Sequence, residues 1–219
     1  MLYKLPKLPK VPQHLVDEAL LMIHDEDNIA YATPTVGPWA GIYSQVRSKT
    51  TWIDQTDGSK KRSAAYSRYM ASQELLEWLK QNIHPDIGRE NPDFSMVIAS
   101  VGIQIFEHDC PGEVLTFKPH IDGPRGDYVL NYVIEAGGDS VYTKWYQAEG
   151  HPVIRPEHRK GLYLTSMKGL VLLDQVVVPQ GSWSLVESRA IHTVDNLTSR
   201  RVSISIGFSV DQCARWLNE

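Results

Sequence analysis

Cysteine is scarce in this chain, and its scarcity excludes two classes of fold. The 219 residues include two cysteines, Cys110 and Cys213, with no CxxC pair and no cysteine-rich spacing. A disulfide framework or a zinc knuckle needs more cysteines at closer spacing. We therefore expect both residues to be ordinary reduced thiols.

Long apolar runs are also lacking. No segment approaches the roughly 20 apolar residues that span a bilayer. The opening residues, MLYKLPKLPKVP, alternate Lys, Leu and Pro and lack the apolar core of a signal peptide. We expect a cytoplasmic protein without a membrane partner.

An excess of positive charge is absent as well. The chain has 22 Lys and Arg against 26 Asp and Glu, a net charge of -4, which argues against a nucleic acid partner. Hydrophobic residues make up 42% and charged residues 22%, ordinary values for a globular protein. The length suits one medium domain, or one core with a helical flank.

The N-terminal part is predicted to be an arm followed by helices. Prolines keep residues 2–12 extended, and apolar residues at 3–4 spacing predict a helix over 13–24. Asp57-Gly58 is a turn signal that favours a hairpin. A second helix is predicted over 64–82. Its buried stripe would comprise Tyr69, Leu75, Leu76 and Leu79, and it would end at His84-Pro85.

The C-terminal part is predicted to be rich in strands. Eight segments rich in Val, Ile, Tyr, Phe and Thr are separated by Gly, Pro and Asp turns. They cover 95–107, 113–121, 127–135, 139–147, 162–165, 169–178, 182–187 and 200–210. The absence of helical segments between them favours a sandwich or jelly roll. The predicted plan is an arm and helical flank over 1–94 and a β core over 95–219, in one integrated domain.

Three His-x-Asp/Glu triplets occur, where chance gives about one for eight His and 26 acidic residues. They are His24/Glu26, His84/Asp86 and His120/Asp122. The first two lie at predicted helix ends, where a charged or solvated terminus explains them without a metal.

The third triplet ends the predicted strand VLTFKPHID. The strand period places His120 and Asp122 on one face, so both side chains can reach one point. His192, in AIHTV, supplies a third ligand. Two imidazoles and one carboxylate form the facial triad that holds a single Fe(II) and leaves coordination positions open, whereas a structural zinc site has four protein ligands.

Nine residues after His192, the strand RVSISIGF begins with Arg201. Alternation places Arg201, Ser203, Ser205 and Gly207 on one face and apolar residues on the other. This polar face either lines a cavity, where Arg201 can bind a carboxylate with help from a Ser hydroxyl, or is the solvent side of an antiparallel strand.

In this order the motifs resemble those of the 2-oxoglutarate/Fe(II)-dependent dioxygenase superfamily. The match consists of PGEVLTFKPHID, then His192, then RVS at the position of the family's cosubstrate-binding Arg-x-Ser. The stretch IQIFEHDCPGEVLTFKPHID is similar to that of prolyl-hydroxylase-like and small phage or bacterial members. The resemblance covers residues 97–210 and implies a double-stranded β-helix (jelly roll) barrel, here supported by N-terminal helices.

The resemblance also implies a reaction and a set of roles. His120, Asp122 and His192 would ligate Fe(II), and Arg201 with Ser203 would hold the distal carboxylate of 2-oxoglutarate. With O2, the cosubstrate would give succinate and CO2 while the substrate is oxidised. Related halogenases lack the carboxylate ligand, so Asp122 favours hydroxylation or another oxygenase outcome.

Other residues near these motifs have two interpretations each. Asn131 either hydrogen-bonds the cosubstrate or is a satisfied buried amide. Arg125 is a cosubstrate or substrate contact, or a surface residue. The aromatic segment SVYTKWYQ either lines the mouth of the site or packs in the core.

Two alternatives to the oxygenase remain open: a cupin-like metalloenzyme that does not use 2-oxoglutarate, and a non-catalytic binding domain. The superfamily acts on many substrates, and the fold does not choose among them. We expect a small-molecule or peptide substrate, whose identity the sequence does not give. The oligomeric state and the role of the KLPKLPKVP arm are left undecided by the sequence.

Overall fold

A computed structural model of the chain describes residues 1–23, 52–62, 64–69, 71–91, 96–98, 101–108, 110, 112–122, 126–150, 154–156, 161–164 and 166–218. The triplet His24/Glu26 and the loop residue Arg125 lie outside the described residues.

Three helices are described, and elements are numbered in chain order. They are α1 (Gln13–Met22), α2 (Gln73–Asn82) and α3 (Val210–Asn218). The predicted first helix is thus present, and the Pro12 carbonyl before it accepts the Leu15 and Val16 N–H groups. No helix in the described part of the chain is long and apolar enough to cross a membrane.

The first large sheet has six antiparallel strands. Their order is β1 (Tyr3–Lys4), β14 (Trp183–Glu187), β9 (Tyr128–Ala136), β16 (Arg201–Phe208), β7 (Val101–Glu107) and β4 (Ala65–Tyr69). The predicted extended arm therefore includes an edge strand of this sheet.

The second large sheet also has six antiparallel strands. Their order is β11 (Ile154–Pro156), β12 (Gly161–Leu164), β8 (His120–Asp122), β15 (Ile191–Asp195), β10 (Tyr142–Ala148) and β13 (Leu170–Val177). Two hairpins complete the described strands: β2 (Trp52–Asp54) with β3 (Lys60–Arg62), as the Asp57-Gly58 turn predicts, and β5 (Arg89–Asn91) with β6 (Met96–Ile98).

The chain crosses repeatedly between the two large sheets. Strands β7, β9, β14 and β16 lie in the first sheet, and β8, β10, β13 and β15 lie in the second. This winding of antiparallel strands is the jelly-roll plan. The predicted fold class, mainly β with a helical flank, is confirmed, with the two sheets packed face to face as separate sheets.

Helices cover the outer face of the first sheet. One apolar cluster joins Leu15 of α1, Leu79 of α2 and Trp216 of α3 to Ile204 and Ile206 of β16, all of them buried. The C-terminal helix α3 thus belongs to the same layer as the N-terminal helices. Burial of this apolar area is the main stabilising term for the sheet.

Two predicted elements are wrong in part. The helix predicted over 64–82 is a strand, β4, followed by α2, because the Ser72 hydroxyl caps the helix by accepting the Leu75 N–H and β4 pairs with β7. The strand predicted over 113–121 forms isolated pairing before β8 begins: Leu115 bridges Leu197, and Thr116 donates to the Arg62 carbonyl and accepts the Ala64 N–H. Pro119 precedes β8 and has no N–H to donate to a ladder.

Asp195 connects several segments on the outer side of the second sheet. Its carboxylate accepts hydrogen bonds from Lys61 at 2.5 Å, from Lys144 at 2.6 Å and from the Thr116 hydroxyl. Burial raises the pKa of Asp195, but these donors outweigh burial and hold the pKa well below its usual range. Through Asp195, β15 is therefore hydrogen-bonded to the β2–β3 hairpin, to β10 and to the segment before β8.

We expect Asp195→Asn to lower the free energy of unfolding by about 2–4 kcal/mol, because two partly buried ammonium groups lose their anion. Urea denaturation at pH 7 measures this, with the exposed Asp174→Asn as the matched control. Because folding lowers the pKa of Asp195, the stabilisation that its carboxylate provides is present above the unfolded pKa of about 3.9. This stabilisation is lost as the pH falls below that value. Equal unfolding midpoints for the two variants would contradict the prediction.

Candidate metal centre

The three predicted ligands meet between the sheets. His120 and Asp122 lie on β8, and His192 lies directly opposite His120 on β15. The Nε2 atoms of His120 and His192 lie 3.4 Å and 3.8 Å from the carboxylate oxygens of Asp122, and all three donor atoms lie within 4.8 Å of one another. Ligand bonds of about 2.0–2.2 Å to one ion place neighbouring donors about 3–4 Å apart, so the donor set fits a metal ion.

Backbone carbonyls fix the orientation of both imidazoles. His120 Nδ1 lies 3.0 Å from the Lys118 oxygen, and His192 Nδ1 lies 2.9 Å from the Ala190 oxygen. A carbonyl oxygen only accepts, so each Nδ1 carries the proton. The Nε2 lone pairs are thereby left for a metal, which is the usual support of histidine ligands.

The charges of the site also suit a cation. Burial, together with the neighbouring His120, lowers the pKa of His192 to about 4, so the imidazole is neutral at pH 7. Burial raises the pKa of Asp122, but the adjacent imidazoles of His120 and His192 outweigh burial and lower it. A neutral imidazole and an ionised carboxylate are the forms that bind metals.

The triplet His84/Asp86 forms no such cluster. His84 Nδ1 accepts the N–H of Asp86 at 3.2 Å, and its ring packs against Phe208 and Trp216. This is a histidine that packs at a helix end, as its position in the sequence indicates.

Arg201 is buried in the same space between the sheets. Its side chain shares a face with Phe106, its neighbour on β7. Phe106 contacts Phe117 at a ring distance of 4.9 Å, and Phe117 contacts His120 at 5.0 Å. Arg201 is therefore the cross-strand neighbour of an aromatic pair that contacts His120.

Arg201 has no anionic partner among the described residues. It is 5% exposed, and its one hydrogen bond runs from Nη1 to the Ala136 carbonyl at 3.1 Å. Burial lowers its pKa to about 10, so it stays charged at pH 7. The solvent-side interpretation of this strand is wrong, because all eight residues of β16 are buried.

The other predicted residues lie on the same strand or beside it. Ser203 is buried, and its hydroxyl lies 3.5 Å from that of Ser205. Ser205 donates to the side-chain oxygen of Asn131, which lies opposite it on β9. In the aromatic segment, Trp145 is fully buried and stacks on Tyr3 at 5.3 Å, so it packs in the core.

Sequence reasoning missed Gly137, which lies against Arg201. Gly137 has φ +85°, and a Cβ there would lie 2.9 Å from the Arg201 Cβ and 2.7 Å from Leu197 Cδ2. Its carbonyl accepts the N–H groups of Thr198 and Ser199. The adjacent glycines 137 and 138 were the available signal, but only the fold brings them to Arg201.

We expect Arg201→Met to raise the free energy of unfolding of the ligand-free protein by about 1–3 kcal/mol, because it removes a buried charge without an ion partner. The matched control is the neighbouring Arg200→Met, which breaks the two-bond pair with Glu135 and so lowers stability by up to about 1 kcal/mol. Urea denaturation gives both values. A loss of stability in Arg201→Met would mean that the protein itself satisfies the guanidinium.

Comparisons with known proteins give matches among solved structures, whereas no protein-family model and no curated protein matches the chain. A Trichoplax adhaerens prolyl hydroxylase, in complex with a hypoxia inducible factor oxygen degradation domain peptide fragment, is 14% identical with a TM-score of 0.42, over 97% of this chain and 86% of that chain. A 2OG-Fe(II) oxygenase family oxidoreductase from Burkholderia pseudomallei is 11% identical with a TM-score of 0.37, over 72% and 70%. The epimerase SnoN, in complex with Fe3+, alpha ketoglutarate and nogalamycin RO, is 10% identical with a TM-score of 0.35, over 89% and 83%. The superfamily that the sequence resembles is thus represented among these structures, while the fold and site of this chain rest on its own strand order and geometry.

Proposed function

We propose that this chain is an Fe(II)- and 2-oxoglutarate-dependent oxygenase that hydroxylates a small molecule or a peptide. One observation carries the proposal: a three-donor metal cluster and a buried cation without an anion share the space between the two sheets. The cluster suits Fe(II) with open coordination positions. The cation suits a dicarboxylate that also reaches the metal.

His120, Asp122 and His192 would hold the metal. The Nε2 atoms of the two histidines and the carboxylate oxygens of Asp122 converge. The hydrogen bonds from each histidine Nδ1 to a backbone carbonyl hold the rings in this orientation. When bound, Fe(II) and 2-oxoglutarate would supply the oxidising chemistry, with O2 consumed and succinate and CO2 released.

Arg201 and Ser203 would hold the far carboxylate of the cosubstrate. A guanidinium can form two parallel hydrogen bonds with a carboxylate, and four of the five Arg201 N–H donors make no hydrogen bond with the described residues. Ser203 lies two residues along the same face and would donate from its hydroxyl. Asn131, held by Ser205, would orient the cosubstrate through its amide.

We expect anaerobic addition of Fe(II) and 2-oxoglutarate to produce a visible metal-to-ligand charge-transfer band. His120→Ala should abolish this band and weaken Fe(II) binding by at least about tenfold, because one of three ligands is lost. The control is His14→Ala, whose imidazole is 66% exposed and pairs with Glu74. A wild-type protein that binds iron but gives neither band nor succinate would overturn the proposal.

We further expect Gly137→Ala to raise the Kd for 2-oxoglutarate about fivefold or more, since a Cβ there displaces Arg201 by steric contact. The Kd for Fe(II) should not change, because the metal ligands lie on the other sheet. Gly58→Ala is the matched control: Gly58 has φ +81°, with nothing within 4 Å of the added Cβ. Isothermal titration measures both constants, and equal effects of the two variants would contradict the positioning role.

A further inference from the structure

The three candidate metal ligands are held in different ways. The imidazoles of His120 and His192 are each fixed by a hydrogen bond between Nδ1 and a backbone carbonyl. The Asp122 carboxylate faces those two imidazoles, and no backbone N–H, hydroxyl or amide of the described residues donates a hydrogen bond to it. Asp122 is also the last residue of β8. The position of its carboxylate therefore depends on what holds its backbone.

The Asp122 backbone is held from both sides of β8. On one side Asp122 pairs with Gly161 of β12. On the other side its N–H donates to the Ser188 carbonyl at 3.0 Å. Ser188 lies between the end of β14 and the start of β15, in the segment that leads to His192. One short segment thus carries one ligand and holds the backbone of another.

Ser188 uses its hydroxyl and both of its backbone groups in hydrogen bonds. It is fully buried. Its hydroxyl donates to the Gly126 carbonyl at 2.9 Å, and its N–H donates to the Asp127 carbonyl at 3.0 Å. The hydroxyl and the N–H therefore bind residues 126 and 127, while the carbonyl binds Asp122. Without the hydroxyl, Ser188 would be held by its backbone alone, and the Gly126 carbonyl would lose this donor.

Residues 126 and 127 are in turn fixed to the first sheet. The Asp127 N–H donates to the Phe208 carbonyl at 2.8 Å, and Phe208 is buried in the apolar cluster under the helices. Gly126 approaches the same backbone so closely that an added Cβ would lie 2.5 Å from the Phe208 oxygen and 2.7 Å from its nitrogen. A larger residue at 126 would therefore have to move away from Phe208. A continuous series of contacts thus runs from Phe208 on the first sheet to Asp122 on the second.

We propose that Ser188 is a positioning residue for the metal centre. It holds the Asp122 backbone where the carboxylate meets the two histidines, and Gly126 fixes Ser188 in turn. This inference rests on the metal ligation of the proposed function, and it adds the residues that set the position of the third ligand. Ser188 contributes no ligand atom and acts through Asp122 alone. Its loss should therefore weaken only the part of metal binding that Asp122 provides.

Gly126→Ala tests the close contact with Phe208. It should raise the Kd for Co(II), measured by titration of the visible Co(II) absorption, about tenfold, which is typical of groups that orient metal ligands. The matched control is Gly112→Ala, which should leave this Kd unchanged. Gly112 lies before β8, has φ +83° and has nothing within 4 Å of an added Cβ. Equal effects of the two variants would overturn the role of Gly126.

Ser188→Ala is the milder variant, and it decides the question if Gly126→Ala does not fold. It removes one hydrogen bond and adds no atoms, so the Kd for Co(II) should rise about threefold or more. The control is Ser209→Ala, which breaks a serine hydrogen bond to Gln212 at the start of α3 and should leave the Kd unchanged. An unchanged Kd in Ser188→Ala would overturn the proposal.

A double-mutant cycle separates positioning from a general loss of structure. In an Asp122→Ala background, Ser188→Ala should cause no further rise in the Kd for Co(II), because the ligand that it positions is absent. A rise as large as that in the wild-type background would overturn the proposal, since Ser188 would then act on the whole site.

The charge-transfer band separates this proposal from the proposed function. A wild-type protein that gives the band with Fe(II) and 2-oxoglutarate, while Ser188→Ala binds Co(II) normally, would overturn the positioning role and keep the oxygenase. Energetic coupling between Ser188 and Asp122 in a protein that gives no band would keep the positioning role and overturn the oxygenase.

Discussion

The burial of Arg201 is the main physical constraint on the centre of this structure. A guanidinium can remain between two sheets only if something satisfies it, and Ala136 offers one carbonyl. The strand that carries it is buried on both faces, with helices on one side and the metal ligands across the gap on the other. Helix packing on one face of this strand thus stabilises it, while its other face carries a charge that the described residues do not neutralise. Binding sites commonly lower the stability of a protein in this way, and the surrounding scaffold compensates for the loss.

Strand β15 shows how structure and function share one element. His192 and Asp195 are three residues apart, so the alternation of the strand sends them to opposite faces. The inner face contributes a metal ligand. The outer face binds Lys61 and Lys144 through Asp195, which holds the strand against its neighbours. The position of the ligand is therefore set by a charged cluster on the opposite side of the same sheet.

Local patterns in the sequence were sufficient for part of the site. Strand alternation predicts that His120 and Asp122 share a face, and it separates Arg201 from its apolar neighbours. Alternation cannot say what covers each face, so the sequence alone left the burial of Arg201 open. The start of α2 was misjudged because β4 is held by pairing with β7, more than thirty residues later in the chain. Gly137 could not be predicted, because its contact with Arg201 exists only in the folded chain.

The N-terminal arm has a consequence for the order of events during synthesis. The Trp183 indole N–H donates to the Pro9 carbonyl across 174 residues of sequence. At about 5–20 residues per second, a ribosome needs about 9–35 s to make that stretch. The nascent arm is without its partner strand throughout this time, with Leu, Tyr and Lys side chains available to chaperones. Its docking on β14 has to wait until β14 itself has been made, and one edge of the first sheet stays open until then.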